Sequence, residues 1–176
     1  ISDLPKCDGK SVDGIRVAFH KRNAKEAMRF CAAIKEKGYK VFIQPMVTMS
    51  YSDEEVLELI KIANEIKPYA FYMADSFGTM KQNDIMRFFY LNDNNLDKNI
   101  KFGYHSHNNM QLAYSNAQSP CEIETRRNIL IDSSTFGMGR GAGNLNSEMF
   151  LSYLNDHTEV NYNIKPLLNI IDEVLA

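Results

Sequence analysis

The 176 residues are enough for one domain with a substantial core, and 44% of them are hydrophobic, as in an ordinary globular protein. Twenty basic against twenty-two acidic residues leave a formal charge of −2, which gives no electrostatic reason to expect a nucleic acid or an anionic membrane as partner. Cys7, Cys31 and Cys121 are widely spaced and form no C-x-x-C pair, which argues against a disulfide framework or a structural zinc site; with neither a spanning-length apolar run nor a signal-peptide pattern, the cytoplasm is the expected compartment.

In chain order, 1–13 reads as a polar lead-in. Residues 14–20 are a compact strand, and Asn23 caps a helix in which Ala27, Phe30, Cys31 and Ile34 recur at i, i+3, i+4 and i+7, ending at Gly38. The next strand is 39–46, centred on Val41, Phe42 and Ile43. Ser52-Asp53-Glu54-Glu55 predicts a capping box opening a helix through Val56, Leu59, Ile60, Ala63 and Ile66, closed by Lys67-Pro68. A third strand, 69–74, ends in Asp75-Ser76-Phe77-Gly78 and precedes a helix through Ile85, Phe88 and Phe89, with 92–99 as a polar turn. The fourth strand starts at Ile100 and runs into Tyr104-His105-Ser106-His107-Asn108-Asn109, followed by a helix over about 109–121. The fifth, 128–132, leads through Ser133-Ser134-Thr135 into the loop Gly137-Met138-Gly139-Arg140-Gly141-Ala142-Gly143-Asn144. A short helix over 146–154 and a last one over 165–176, with Pro166 in its first turn and Leu167, Ile170, Ile171 and Val174 on one face, complete the pattern.

Strand onsets about 26 to 31 residues apart, with helical periodicity between them, predict an α/β protein with a parallel sheet and right-handed crossovers. Five such units form either an open doubly wound sheet or part of an eight-stranded barrel. The loop at 137–142 matches G-x-G-x-x-A, but a dinucleotide site needs that loop after the first strand, with a further strand and an acid beyond it. Here it follows the last predicted strand, which favours a (β/α)8 TIM barrel, a partial one made of strands four to eight.

On a strand, alternate side chains share a face, so the imidazoles of His105 and His107 can point at one object. Neutral imidazole is the commonest nitrogen ligand of a divalent metal, although a lone His-x-His also occurs as an incidental strand end. Beside a loop whose glycines at alternate positions let backbone approach a ligand closely, metal ligation is the favoured reading. In a barrel both stretches fall at the C-terminal ends of strands, where active sites are built and where the loops after strands seven and eight often bind an anionic group.

Together, His105-Ser106-His107-Asn108-Asn109 and Gly137-Met138-Gly139-Arg140-Gly141-Ala142-Gly143-Asn144 resemble the signature of the HMG-CoA lyase-like metallolyases, TIM barrels that make or break carbon–carbon bonds next to a ketone or carboxylate. Within that family the resemblance is to the 4-hydroxy-2-oxovalerate aldolase branch. The lyases proper carry a catalytic cysteine, in a Cys-Pro-Tyr-Ala context, where this chain has Ser134-Thr135-Phe136.

The resemblance implies a single aldolase-type barrel domain over 1–176 and a lyase that cleaves or forms a C–C bond in a hydroxy-keto acid such as 4-hydroxy-2-oxovalerate, releasing pyruvate or a similar keto acid. It implies His105 and His107 as ligands of Mn²⁺, Mg²⁺ or Zn²⁺. Asn144 matches the asparagine that closes the family's glycine loop beside the metal; a left-handed cap residue is its alternative. Asp75 and Ser76 resemble the acid and hydroxyl of the family's D-[ST]-x-G pattern that face substrate, with an ordinary helix cap as the alternative. Gln44 and His20 also end strands and are placed to line the same mouth, though for His20 a polar strand end serves equally well. The amides around Gly141 and Gly143 are expected to receive an anionic group of the substrate.

The family's third metal ligand, an aspartate ending its first barrel strand, has no counterpart here, nor do its neighbouring arginine and its early histidine base. The chain is therefore expected to be a fragment, catalytically silent alone, that associates through its edges. A small keto acid is the expected partner, and homo-oligomer formation is left open. Outside the aldolase reading stand an acyl-thioester condensing enzyme of the same family, similar to isopropylmalate synthase, and a non-catalytic barrel scaffold. Met46, Met49, Met73 and Met80 read as packing residues and the three cysteines as inert.

Overall fold

The computed structural model describes residues 3–174. Strands β1 (Gly14–Phe19), β2 (Lys40–Pro45), β3 (Ala70–Asp75), β4 (Lys101–Ser106) and β5 (Ile129–Ile131) alternate with helices α1 (Ala24–Glu36), α2 (Asp53–Ile66), α3 (Gln82–Asn95) and α4 (Ala113–Cys121). Two more helices, α5 (Ser147–His157) and α6 (Lys165–Val174), follow the last strand. The strands are parallel and lie in the order β1-β2-β3-β4-β5. A doubly wound sheet reverses its order at a switch point; unbroken sequential order is that of a barrel wall, and the fold is a partial (β/α)8 barrel.

Local chemistry explains most boundaries. Ser52 and Glu55 make the predicted reciprocal capping box at the start of α2. Asn23 stands at the N-cap of α1 without a side-chain cap bond. The predicted turn over 92–99 is half helical: α3 runs on to Asn95, and the side chains of Asn92 and Asn95 fold back along it to donate to the carbonyls of Phe88 and Leu91. Conversely α4 starts at Ala113 rather than near 109. Gln111 takes a left-handed conformation, and Asn108 Oδ1 accepts the Ala113 amide, so the residues between form a turn. The last two residues of the predicted C-terminal helix lie outside the described residues. α6 buries none of its described side chains, and Leu168, Ile170 and Val174 are exposed. No helix among the described residues is long and apolar enough to cross a membrane.

The register carries the strand alternation across the sheet, pairing Arg16 with Phe42, Phe42 with Ala70, Tyr72 with Gly103 and Ala74 with His105. One face therefore presents Val41, Ile43, Phe71, Met73, Phe102 and Tyr104 to the helices, where they form the core with Ile60, Ile85, Phe88 and Phe89. The opposite face carries Arg16, Gln44, Tyr72 and His105. Arg16 on β1 is ion-paired with Asp132, the residue just past β5, so the two edges of the sheet curl toward each other and this face is concave. Gly103 serves that curl, because a Cβ there would collide with the ring of Tyr72 crossing over β4.

Candidate active site

His105 lies in β4 and His107 one residue past its end, both half-buried, with their rings edge to face and centroids 5.1 Å apart. His107 Nδ1 lies 3.2 Å from the backbone carbonyl oxygen of Asp75. A carbonyl oxygen only accepts, so Nδ1 carries the hydrogen and the neutral ring keeps its lone pair on Nε2. His105 Nδ1 lies 3.0 Å from Asp132 Oδ2, and an ionised carboxylate imposes the same tautomer. Burial raises the Asp132 carboxyl, but the hydrogen bonds from His105 and Arg16 more than offset it and hold its pKa below the ordinary carboxylate value.

Asn144 meets this pair through backbone. It forms an isolated antiparallel bridge with His107, and its Nδ2 donates to the Met138 carbonyl at 2.8 Å. Its Oδ1 is buried and accepts no hydrogen bond among the described residues. A buried acceptor of this kind is costly unless something else engages it. A cavity of about 420 Å³ joins His105 and Asn144 to Arg16, Ile131, Asp132 and Ser133. A larger groove, about 870 Å³, lies between α1 and α2 on the outer layer and holds none of these residues.

Each imidazole keeps its Nε2 lone pair uncommitted, the kind of donor that divalent ions of borderline character take. No cluster of three or more His, Cys, Asp or Glu side chains is placed to hold a metal among the described residues.

Residues 17–174 match the HMGL-like family profile. The chain belongs to the HMGL-like family. A 4-hydroxy-2-oxovalerate aldolase from Pseudoalteromonas translucida is 30% identical over 161 residues, covering 92% of this chain and 45% of that protein. The solved N-terminal domain of a candidate aldolase from Bacteroides vulgatus superposes with a TM-score of 0.82 at 31% identity, over 92% of this chain and 52% of that one. At 14% identity, the Bacillus subtilis HMG-CoA lyase shares the fold, with a TM-score of 0.77 over 91% of this chain and 61% of that one. The chain spans about half the length of the curated relatives it matches.

In this HMGL-like chain the other predicted residues take different places. Asp75 falls on the helix-facing side of β3, paired in register with Ser106, and is 3% exposed. Its carboxylate accepts the amides of Thr79 and Met80 at 3.0 and 3.1 Å, which fixes the loop ahead of α3 rather than capping that helix, whose N-cap is Lys81; burial raises its pKa and those amides offset only part of the rise. Ser76 Oγ accepts the Val47 amide at 2.8 Å and so ties the β2 loop to the β3 loop. Gln44 is 6% exposed and accepts from Arg16 Nη1 at 3.1 Å. Gly143 carries the glycine loop onto the histidine strand, its carbonyl accepting the Asn108 amide at 2.9 Å, whereas Gly141 stands in open space. His20 is exposed beyond β1. Met73 and Met80 are core residues, but Met49, expected to pack, is 45% exposed.

Arg16, Tyr72 and Asp132 are the residues that sequence reasoning passed over. Arg16 Nη2 donates to Asp132 Oδ1 at 3.0 Å and to Tyr72 Oη at 2.9 Å, and Tyr72 Oη donates to Asp132 Oδ1 at 3.2 Å. Two signals were available: Arg16 is the lone charge in the apolar strand Gly-Ile-Arg-Val-Ala-Phe, and Asp132 directly follows the apolar run of β5, as His105 and His107 fall at the end of β4.

Proposed function

We propose that this chain is part of a divalent-metal-dependent aldolase that cleaves or forms a carbon–carbon bond in a hydroxy-keto acid of the 4-hydroxy-2-oxovalerate type. Its relatives bearing that aldolase name support the reaction class. One observation carries the metal: both histidines commit Nδ1 to an acceptor and leave Nε2 free, beside the unpaired Oδ1 of Asn144. His105 and His107 would hold Mn²⁺, Mg²⁺ or Zn²⁺ through Nε2, with Asn144 Oδ1 as a third contact. When bound, the ion supplies Lewis acidity toward the carbonyl oxygen of a 2-keto acid. The Asp75 carbonyl orients His107, the Asp75 and Ser76 side chains fix the loops behind it, and the glycine-loop backbone around Gly141 and Gly143 faces the anionic end of the substrate. The acceptor of the 4-hydroxyl proton is assigned to no residue of this chain.

The experiment is metal binding and pyruvate release by the full-length protein given 4-hydroxy-2-oxovalerate and Mn²⁺, compared with its His105→Ala/His107→Ala variant. Loss of both metal and turnover in the variant is expected. Retention of both by the variant refutes the assignment. Consumption of an acyl thioester instead of aldol cleavage points to a condensing enzyme, and metal binding without turnover of either points to a scaffold.

A further inference from the structure

The geometry points to Asp132 as a positioning residue for His105, held in place by Arg16 reaching across the concave face from β1. This rests on the reading of His105 as a metal ligand. Every lone-pair direction of the Asp132 carboxylate is in use. Oδ1 accepts from Arg16 Nη2 at 3.0 Å and from Tyr72 Oη at 3.2 Å, and Oδ2 accepts from Arg16 Nη1 and from His105 Nδ1 at 3.0 Å. A carboxylate so engaged must surrender a hydrogen bond to ligate a cation itself, and it has no vacant direction from which to take a substrate proton. What it does without rearrangement is fix the His105 ring and keep the hydrogen on Nδ1.

Arg16 is equally constrained. Its Nη1 also donates to Gln44 Oε1 at 3.1 Å, and its guanidinium carbon lies 4.2 Å from the centroid of the Tyr72 ring. The fork has one orientation, so Asp132 has one orientation, and through it His105 does. His107 receives the same service from a neutral acceptor, the Asp75 carbonyl. The two histidines therefore differ: a charged partner makes the His105 Nε2 the stronger donor, as carboxylate–histidine–metal arrangements do. Gln44, expected to meet substrate, acts in this set as the acceptor that completes Arg16.

The test uses the full-length protein with ¹⁵N-labelled histidine and reads two things, the ring tautomer of His105 without metal and the affinity for Mn²⁺ by calorimetry. Wild type should show hydrogen on Nδ1. Asp132→Ala should shift His105 toward the Nε2–H tautomer, which a partnerless imidazole prefers, and weaken Mn²⁺ binding roughly 10- to 100-fold. Asp132→Asn preserves size and an acceptor oxygen, so it should keep the Nδ1–H tautomer and recover part of the affinity; it also carries the test if the alanine variant does not fold. A wild-type tautomer and affinity in Asp132→Ala, or unchanged affinity in Asp132→Asn where alanine is not tolerated, overturns the inference. Absence of Mn²⁺ binding to wild type overturns the metal reading, and the metal-free tautomer then shows whether the Asp132 contact itself was correctly placed.

Discussion

Arg16 and Asp132 stand 116 residues apart, at the opposite edges of a five-stranded sheet, and form an ion pair across its concave face. The pair ties the first strand to the residue just past the last one, and so bears on the curvature of the whole wall. Arg16→Met leaves an ionised carboxylate short of its two strongest donors, and because the pair is partly open to solvent it should cost about 1 kcal/mol. Urea denaturation checks this, and a midpoint equal to wild type would show that the pair is a passive surface contact.

A second arginine works at the other end of the strands. Arg127 is buried, its Nε donates to Asp93 Oδ1 at 2.8 Å, and its Nη groups donate to the carbonyls of Asp93, Leu96, Asp97 and Ile100. It thereby satisfies the open C-terminal carbonyls of α3. Arg127→Met should destabilise by about 3–5 kcal/mol, as breaking a buried charged set does. Arg127→Lys, with a single nitrogen in place of the fork, should recover less than half of the loss in the same unfolding measurement.

Gly141 and Gly143 look alike in sequence and should respond differently. Both have positive φ, 63° and 80°. A Cβ on Gly143 would strike the carbonyl oxygen of Gly137, whereas one on Gly141 meets nothing within 4 Å. Gly141→Ala should therefore cost only the left-handed backbone strain, about 1–2 kcal/mol, and Gly141→Asn less still. Gly143→Ala adds a backbone collision and should also lower metal affinity, because Asn144 follows directly. Thermal melts and Mn²⁺ titrations of the three variants separate these effects; equal losses at both positions would contradict the geometry.

Metal should also be visible as stability. A ligand that binds only the folded state at about 100 times its Kd stabilises by about 2.7 kcal/mol. Mn²⁺ should raise the melting temperature of wild type, EDTA should reverse the rise, and His105→Ala/His107→Ala should show neither change. Because both rings are only half-buried, that variant should melt near metal-free wild type.

The thiols should be quiet, as their sequence surroundings suggest. Burial pushes Cys31 up to about 12 and Cys121 up to about 11. Thiolate is the reactive form, and its fraction grows only as pH approaches those values. At pH 8 an alkylating reagent should modify Cys7 first, with Cys31 and Cys121 reacting after denaturant is added. Early labelling of Cys31, located by mass spectrometry, would contradict its burial.

The sequence by itself determined the βα repeat, the onset of every strand to within a residue, the capping box at Ser52, and the pairing of a His-x-His strand with a glycine loop. These are written in short-range terms: a period of 3.6 or 2, a cap, a turn residue. Asn92 and Asn95 misled at the same range, because polar residues that read as a turn also fit the last turn of a helix when their side chains bond back to its carbonyls.

The tertiary structure alone decided which polar groups meet. Asp75 is one residue from Ala74, yet the strand alternation puts it on the helix-facing side while Ala74 pairs with His105. Whether such a residue meets substrate or caps a loop depends on which face is concave. Arg16 and Tyr72 come from two strands and Asp132 from just past a third, with Arg16 56 residues from Tyr72 and Tyr72 60 residues from Asp132. Their meeting is set by register and by the curl of the sheet, and neither leaves a mark in a local window of sequence. A strand's periodicity says that two side chains share a face; only the curl of the wall says that its two opposite edges share a carboxylate.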